Sequence, residues 1–149
     1  MGPSPLDPRE IAARALSRRD LSQTSLASRL RGAGIAPAAA RETLDWLVSV
    51  GLVDDARLAR TRAGRLAERG YGNVAIDTKL AREGILREDR EAAISELEPE
   101  EERARRAARG GRAGEPRRLA AFLAGRGFGE DAIEAAVRAL DDRGDAELR

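Results

Sequence analysis

One pattern occurs three times in this chain with the same internal spacing. An apolar residue is followed four residues on by Leu, four further on by Gly and at once by another apolar residue; two more apolar positions lie nine and twelve residues beyond that. Leu26, Leu30, Gly34, Ile35, Leu44 and Leu47 meet it first, then Ile76, Leu80, Gly84, Ile85, Ile94 and Leu97, and finally Leu119, Leu123, Gly127, Phe128, Val137 and Leu140. Four-residue steps place side chains on one helix face, and a Gly closing such a run is where a left-handed C-cap costs least. Each copy therefore reads as helix, Gly turn, helix, and the stretch before each copy has room for one more helix. Such a chain cannot bury its apolar faces one unit at a time, so the units must stack.

The resulting expectation is an all-α fold of three tandem three-helix repeats, about nine helices in an elongated, curved array. A lead spans 1–8, the repeats span 9–53, 54–98 and 99–142, and a frayed tail covers 143–149. Caps set the helices. Asp7 before Pro8 opens the first, to about Arg18, with Ile11, Ala15 and Leu16 inward. Ser22 caps the second. Pro37 opens the third, whose inward stripe is Ala40, Leu44, Leu47 and Val48. Asp54 or Asp55 caps the fourth, with Leu58, Ala59, Ala63 and Leu66 inside. Asn73 caps the fifth, and the sixth runs from about Arg87 to Leu97. The seventh starts at Pro99 and has only Ala104, Ala107 and Ala108 as an apolar face, which makes it the least anchored. Gly110, Gly111, Gly114 and Pro116 read as a hinge at 110–116, before helices over about 116–125 and 130–142.

Composition narrows the function. Of 149 residues 36% are charged, yet the net charge is +1, and there is no His and no Cys. That removes the commonest general base, the thiolate nucleophile, disulfides and the usual transition-metal ligands, so neither an enzyme nor a cofactor protein is expected. No apolar run approaches the ~18 residues of a membrane span, and residues 1–8 lack the basic start and apolar core of a signal peptide. A cytoplasmic protein is the expectation. The adjacent Asp54 and Asp55 point about 100° apart on a helix, which suits a cap better than a two-carboxylate site. The Gly-rich stretch at 110–114 lacks the Gly-Lys-Ser/Thr of a phosphate loop.

Charge is segregated along the chain. Residues 56–82 hold Arg57, Arg60, Arg62, Arg65, Arg69, Lys79 and Arg82 against only Glu68 and Asp77. Residues 101–126 are basic again, with Arg105, Arg106, Arg109, Arg117 and Arg118, whereas 83–100 and 127–149 are acidic. On the fourth helix Arg62, Arg65 and Arg69 recur at three- and four-residue spacing, a cationic stripe opposite the apolar one that can track phosphates. A solvated face is the plain alternative. Trp46 beside Leu44 and Leu47 suits packing between units. With one Trp, one Tyr and two Phe, a stacking platform for single strands is not favoured.

The stretch Val53-Asp54-Asp55-Ala56-Arg57-Leu58-Ala59, the turn Gly70-Tyr71-Gly72 leading to Ile76, Leu80 and Gly84-Ile85, and the closing Arg126-Gly127-Phe128 resemble the RecX family of bacterial recombination regulators. The resemblance covers about residues 9 to 142. It implies tandem three-helix repeats and binding to the RecA filament on DNA, inhibiting strand exchange, ATP hydrolysis and repressor co-cleavage in DNA repair and the SOS response. It also implies no chemistry of the protein's own. Contacts to single- and double-stranded DNA would run through phosphates, and a monomer is expected. The family often has an aromatic where Leu58 stands, an acidic residue where Ser25 stands and a basic one where Ala75 stands. The candidate DNA- and filament-binding residues are basic positions taken from the helix faces: Arg57, Arg60, Arg62, Arg65, Arg69, Lys79, Arg82, Arg105, Arg106, Arg109, Arg117 and Arg118. Two rival readings remain: a helix-turn-helix transcriptional regulator over Ser22 to Val53, with Pro37 opening a recognition helix, and a purely protein-binding scaffold.

Overall fold

The computed structural model describes residues 6–110 and 114–149, and among these every regular element is a helix. In chain order they are α1 (Pro8–Arg18), α2 (Gln23–Gly32), α3 (Pro37–Ser49), α4 (Asp55–Glu68), α5 (Asn73–Arg82), α6 (Arg87–Ser95), α7 (Glu100–Gly110), α8 (Pro116–Gly125) and α9 (Glu130–Glu147). They pack as three triplets, α1–α3, α4–α6 and α7–α9, each around its own apolar cluster. Leu26 and Leu47 anchor the first cluster, Ile76, Leu80 and Ile85 the second, and Leu119, Leu123 and Phe128 the third. Ala12, Ala59 and Ala104, each 0% exposed, let the first helix of each triplet lie close against its partners.

The three Gly residues of the repeat adopt left-handed φ values of 79 to 84°. In each turn the amide after the Gly donates back to the carbonyl five residues before it: Ile35 to Leu30 at 3.0 Å, Ile85 to Leu80 at 3.3 Å and Phe128 to Leu123 at 3.1 Å. These are Schellman closures, which satisfy helix-end carbonyls and reverse the chain in the fewest residues.

Both junctions between units follow one plan. The Gly turn of the later unit lies on the N-terminus of the second helix of the earlier one. At the first junction a Cβ on Gly84 would come within 2.8 Å of the Thr24 side chain. The hydroxyls of Ser22 and Ser25 both donate to the Glu83 carbonyl, Ser25 at 2.9 Å. At the second, a Cβ on Gly72 would overlap the Phe128 backbone and one on Gly127 would overlap Ala75. There the Gly72 amide donates to the Arg126 carbonyl at 2.9 Å, and the Val74 amide to the Gly127 carbonyl at 3.0 Å. A carboxylate from the later unit completes each contact by accepting the first amide of that same helix. Asp55 takes the Gln23 N–H at 3.0 Å, and Glu100 takes the Asn73 N–H at 2.7 Å. The first amides of a helix have no partner within it, so these bonds satisfy groups that the junction would otherwise bury bare.

The structure corrects several expectations. Gly72, not Asn73, is the N-cap of α5, because only a residue without Cβ fits against Phe128. Far from being weakly anchored, α7 carries Arg103, 7% exposed, which donates to the Glu98 carbonyl at 2.9 Å, the Tyr71 carbonyl at 3.0 Å and the Asn73 side chain. Thr43 takes the inward place expected of Val48, which is 42% exposed. Trp46 packs within the first unit under the Arg9 guanidinium, 4.2 Å from its ring centre, and not between units. Helix α6 stops at Ser95 short of Leu97, and α9 runs through the expected tail to Glu147 on an exposed surface. Of the expected hinge, Gly110 ends α7 and Pro116 begins α8, while 111–113 lie outside the described residues, as do 1–5 of the lead.

The turns and junctions set how single substitutions should behave. Gly72→Ala, at an ordinary φ of −84°, meets only a steric obstacle, so it should cost more than ~2 kcal/mol in denaturant unfolding. Gly34→Ala, with open space around it but φ of 84°, should cost about 1 kcal/mol of backbone strain. Burial raises the pKa of Asp55, offset in part by the Gln23 amide, with Asp89 and Asp54 adding to the rise. A carboxyl whose folded pKa is raised costs stability when ionised, and that cost is lifted as pH falls through its folded pKa. Asp55→Asn keeps an acceptor for Gln23 and should match or exceed the parent melting temperature at pH 7, with the advantage shrinking toward pH 4. Asp55→Ala, which strands the amide, should be lower at both pH values.

Candidate nucleic-acid interface

The basic residues singled out in the sequence have separate fates. Arg62 is held in the first junction: its Nε lies 3.2 Å from the Glu83 carboxylate, its Nη2 donates to the Asp20 carbonyl at 3.4 Å, and its side chain is 21% exposed. It ties units together and is not a free member of a phosphate-tracking stripe. Arg65 and Arg69, one turn apart at the end of α4, are exposed and make no ion pair among the described residues. The stripe of three is therefore a pair.

That pair leads to Tyr71, where the second junction gathers cations. Lys79 from α5 stands 4.8 Å from the Tyr71 ring centre and Arg126, just after α8, stands 4.3 Å from it. Arg126 also donates to the carbonyls of Arg69 and Gly70, the latter at 3.4 Å, so the backbone of the preceding unit fixes its guanidinium. A ring with a cation on it gains roughly 0.5–2 kcal/mol per contact, and the cation keeps its remaining donors for another acceptor. Arg126 was not among the candidates, because a single Arg before a Gly turn carries no periodic signal; its place follows only from the docking of the turn. Ala75, where the family often has a basic residue, packs against Gly127, and Ser25, where it often has an acidic one, bonds Glu83.

The remaining candidates are dispersed. Arg57 reaches the Gly51 carbonyl at 3.4 Å, and Arg60 lies 4.0 Å from Glu96 with both side chains half exposed. Arg105 pairs with Glu102, Arg106 with Glu98 at 2.7 Å and Arg118 with Glu115 at 3.5 Å. Such exposed pairs are worth ~0–1 kcal/mol and open readily to a phosphate. Arg82, Arg109 and Arg117 are exposed with no ion pair among the described residues. Among those same residues no group of His, Cys, Asp or Glu is placed to hold a metal ion, and no helix is long and apolar enough to cross a membrane.

No family model matches the chain. Individual relatives do. The regulatory protein RecX of Chromohalobacter salexigens is 35% identical over 139 residues, covering 87% of this chain and 90% of its own length. The regulatory protein RecX of Halorhodospira halophila is 32% identical over 142 residues, covering 90% and 88%. Among solved structures, RecX from Lactobacillus salivarius superposes with a TM-score of 0.81 at 19% identity, over 90% of this chain and 94% of that one, which shows a shared fold. With similarity running through all three units and both junctions, the chain belongs to the RecX family of regulatory proteins.

Proposed function

We propose that this protein binds the RecA nucleoprotein filament and inhibits its recombinase, ATPase and co-protease activities, acting in DNA repair and the SOS response with no catalysis of its own. The observation that carries the reading furthest is the cluster at the second junction. Lys79 and Arg126 stand over the Tyr71 ring, with Arg69 two residues before it in sequence and Arg65 a turn further back, where backbone bonds join the second and third units. Cations held by a rigid scaffold lose little entropy on meeting a phosphate, and each such contact makes affinity fall with salt. A row of linked units can span neighbouring protomers of a filament where a compact domain would touch one.

A helix-turn-helix reader of duplex sequence is less well supported. Helix α3 opens with Pro37, Ala38 and Ala39, which offer no hydrogen bonds to base edges, and the α2–α3 arrangement recurs as α5–α6 and α8–α9.

Two measurements test the proposal. ATP hydrolysis by RecA on single-stranded DNA should fall when this protein is present at well below one copy per RecA; an unchanged rate at low salt would count against the function. Replacing Arg65 and Arg69 with Glu should weaken DNA binding and reduce the slope of log K against log salt by roughly 0.7–0.9 for each lost contact. Arg62→Glu should instead lower thermal stability, since it places like charge against Glu83.

A further inference from the structure

The three units share a groove between their second and third helices, and among the described residues the first unit leaves open what side chains occupy in the other two. In unit two, Arg90 crosses the groove to Asp77 at 2.8 Å and donates to the Ile85 carbonyl at 2.7 Å, with its side chain 16% exposed. The matching position in unit three is Ile133, which packs against the cluster containing Phe128. In unit one the counterparts of Asp77 and Arg90 are Ala27 and Ala40, whose side chains are too short to cross.

What remains is a hollow of about 370 Å³ with Ala27, Ile35, Pro37, Ala40 and Leu44 as its apolar lining. Arg31 and Arg41 stand at its rim, exposed and with no ion pair among the described residues, together with Asp45 and Gln23. The adjoining turn is open as well. Ile35 is partly exposed where its counterparts Ile85 and Phe128 are 1% and 5% exposed, and a Cβ on Gly34 would meet nothing within 4 Å. The internal repeat thus supplies its own control, because the same fold, filled twice, shows what this surface lacks.

We propose that this hollow receives an acidic segment of the RecA protomer, with one apolar side chain seated between Ala27 and Ala40 and a neighbouring carboxylate against Arg31 and Arg41. The assignment rests on the filament reading above and locates one of its contacts. An apolar floor gains from a side chain as it does from Ile133 in unit three, whereas a sugar-phosphate strand has nothing to bury there. Two arginines against one aspartate leave an excess of positive charge that suits a carboxylate.

The test transplants the filling of unit two into unit one. Ala27→Asp with Ala40→Arg, and separately Ala40→Ile, should keep helicity and melting temperature, because both fillings already occur in this fold. Co-sedimentation with RecA filaments on single-stranded DNA should then show at least tenfold weaker binding, while affinity for the same DNA without RecA stays within twofold of the parent. Arg31→Glu with Arg41→Glu should weaken filament binding likewise. Filled variants that bind filaments as the parent does would overturn the proposal, as would an equal loss on bare DNA, which would assign the hollow to nucleic acid. Unchanged filament binding by the charge reversal would also overturn it, by removing the acidic partner. Failure of the parent protein itself to bind filaments would overturn the proposed function directly, a result separate from any difference among variants.

Discussion

The fold depends on the seating of a glycine turn on the amino end of a helix in the preceding unit. Neither partner could stand alone. The helix end has amides with no acceptor and the turn has carbonyls with no donor; the second junction joins them directly, and at the first the Ser22 and Ser25 hydroxyls serve the turn's carbonyl. Because backbone meets backbone, the fit tolerates no Cβ at Gly72 or Gly127. Apolar clusters of modest size, built largely from Leu, Ile and Ala, then suffice within each triplet, since each triplet is also braced by its neighbour.

The same contact explains how charge is distributed. Asp55 and Glu100 sit at equivalent places, each reaching from the first helix of one unit to the second helix of the unit before it. Arg62 and Arg103 perform the complementary task with carbonyls. Many charges that look like solvated faces therefore belong to the joints. Burial works against ionisation of both Asp55 and Arg103, lowering the arginine pKa while Glu100, Glu98 and Glu101 oppose that shift. The joints are specific because their polar groups are matched, and a slipped register would leave them buried without partners.

Much of this was legible in the sequence and some was not, for physical reasons. Leu26, Leu30 and Gly34 with their two echoes fix helices and turns through short-range spacing, and Ser22, Pro37, Asp54 and Pro116 mark helix starts by local chemistry. Long-range bonds leave no such trace. Arg103 and Arg126 are distinguished from the other arginines only by what another unit brings to them. Asn73 has the chemistry of a cap, yet it yields the place to Gly72 because a neighbouring turn needs the space. The candidate stripe lost Arg62 for the same reason, since a helix face exposed within its own unit can be covered by the one before it.

Pro116 sets the third unit apart from the other two. In α2 and α5 the first helical residue offers an amide to a carboxylate from the unit that follows, but at the same place α8 has a proline, which has no N–H to offer. Its N-cap is Glu115, where the other two helices have Ser22 and Gly72. The proline thus removes from α8 the donor through which α2 and α5 each hold a carboxylate of the following unit, so the third unit presents an amino end of different chemistry.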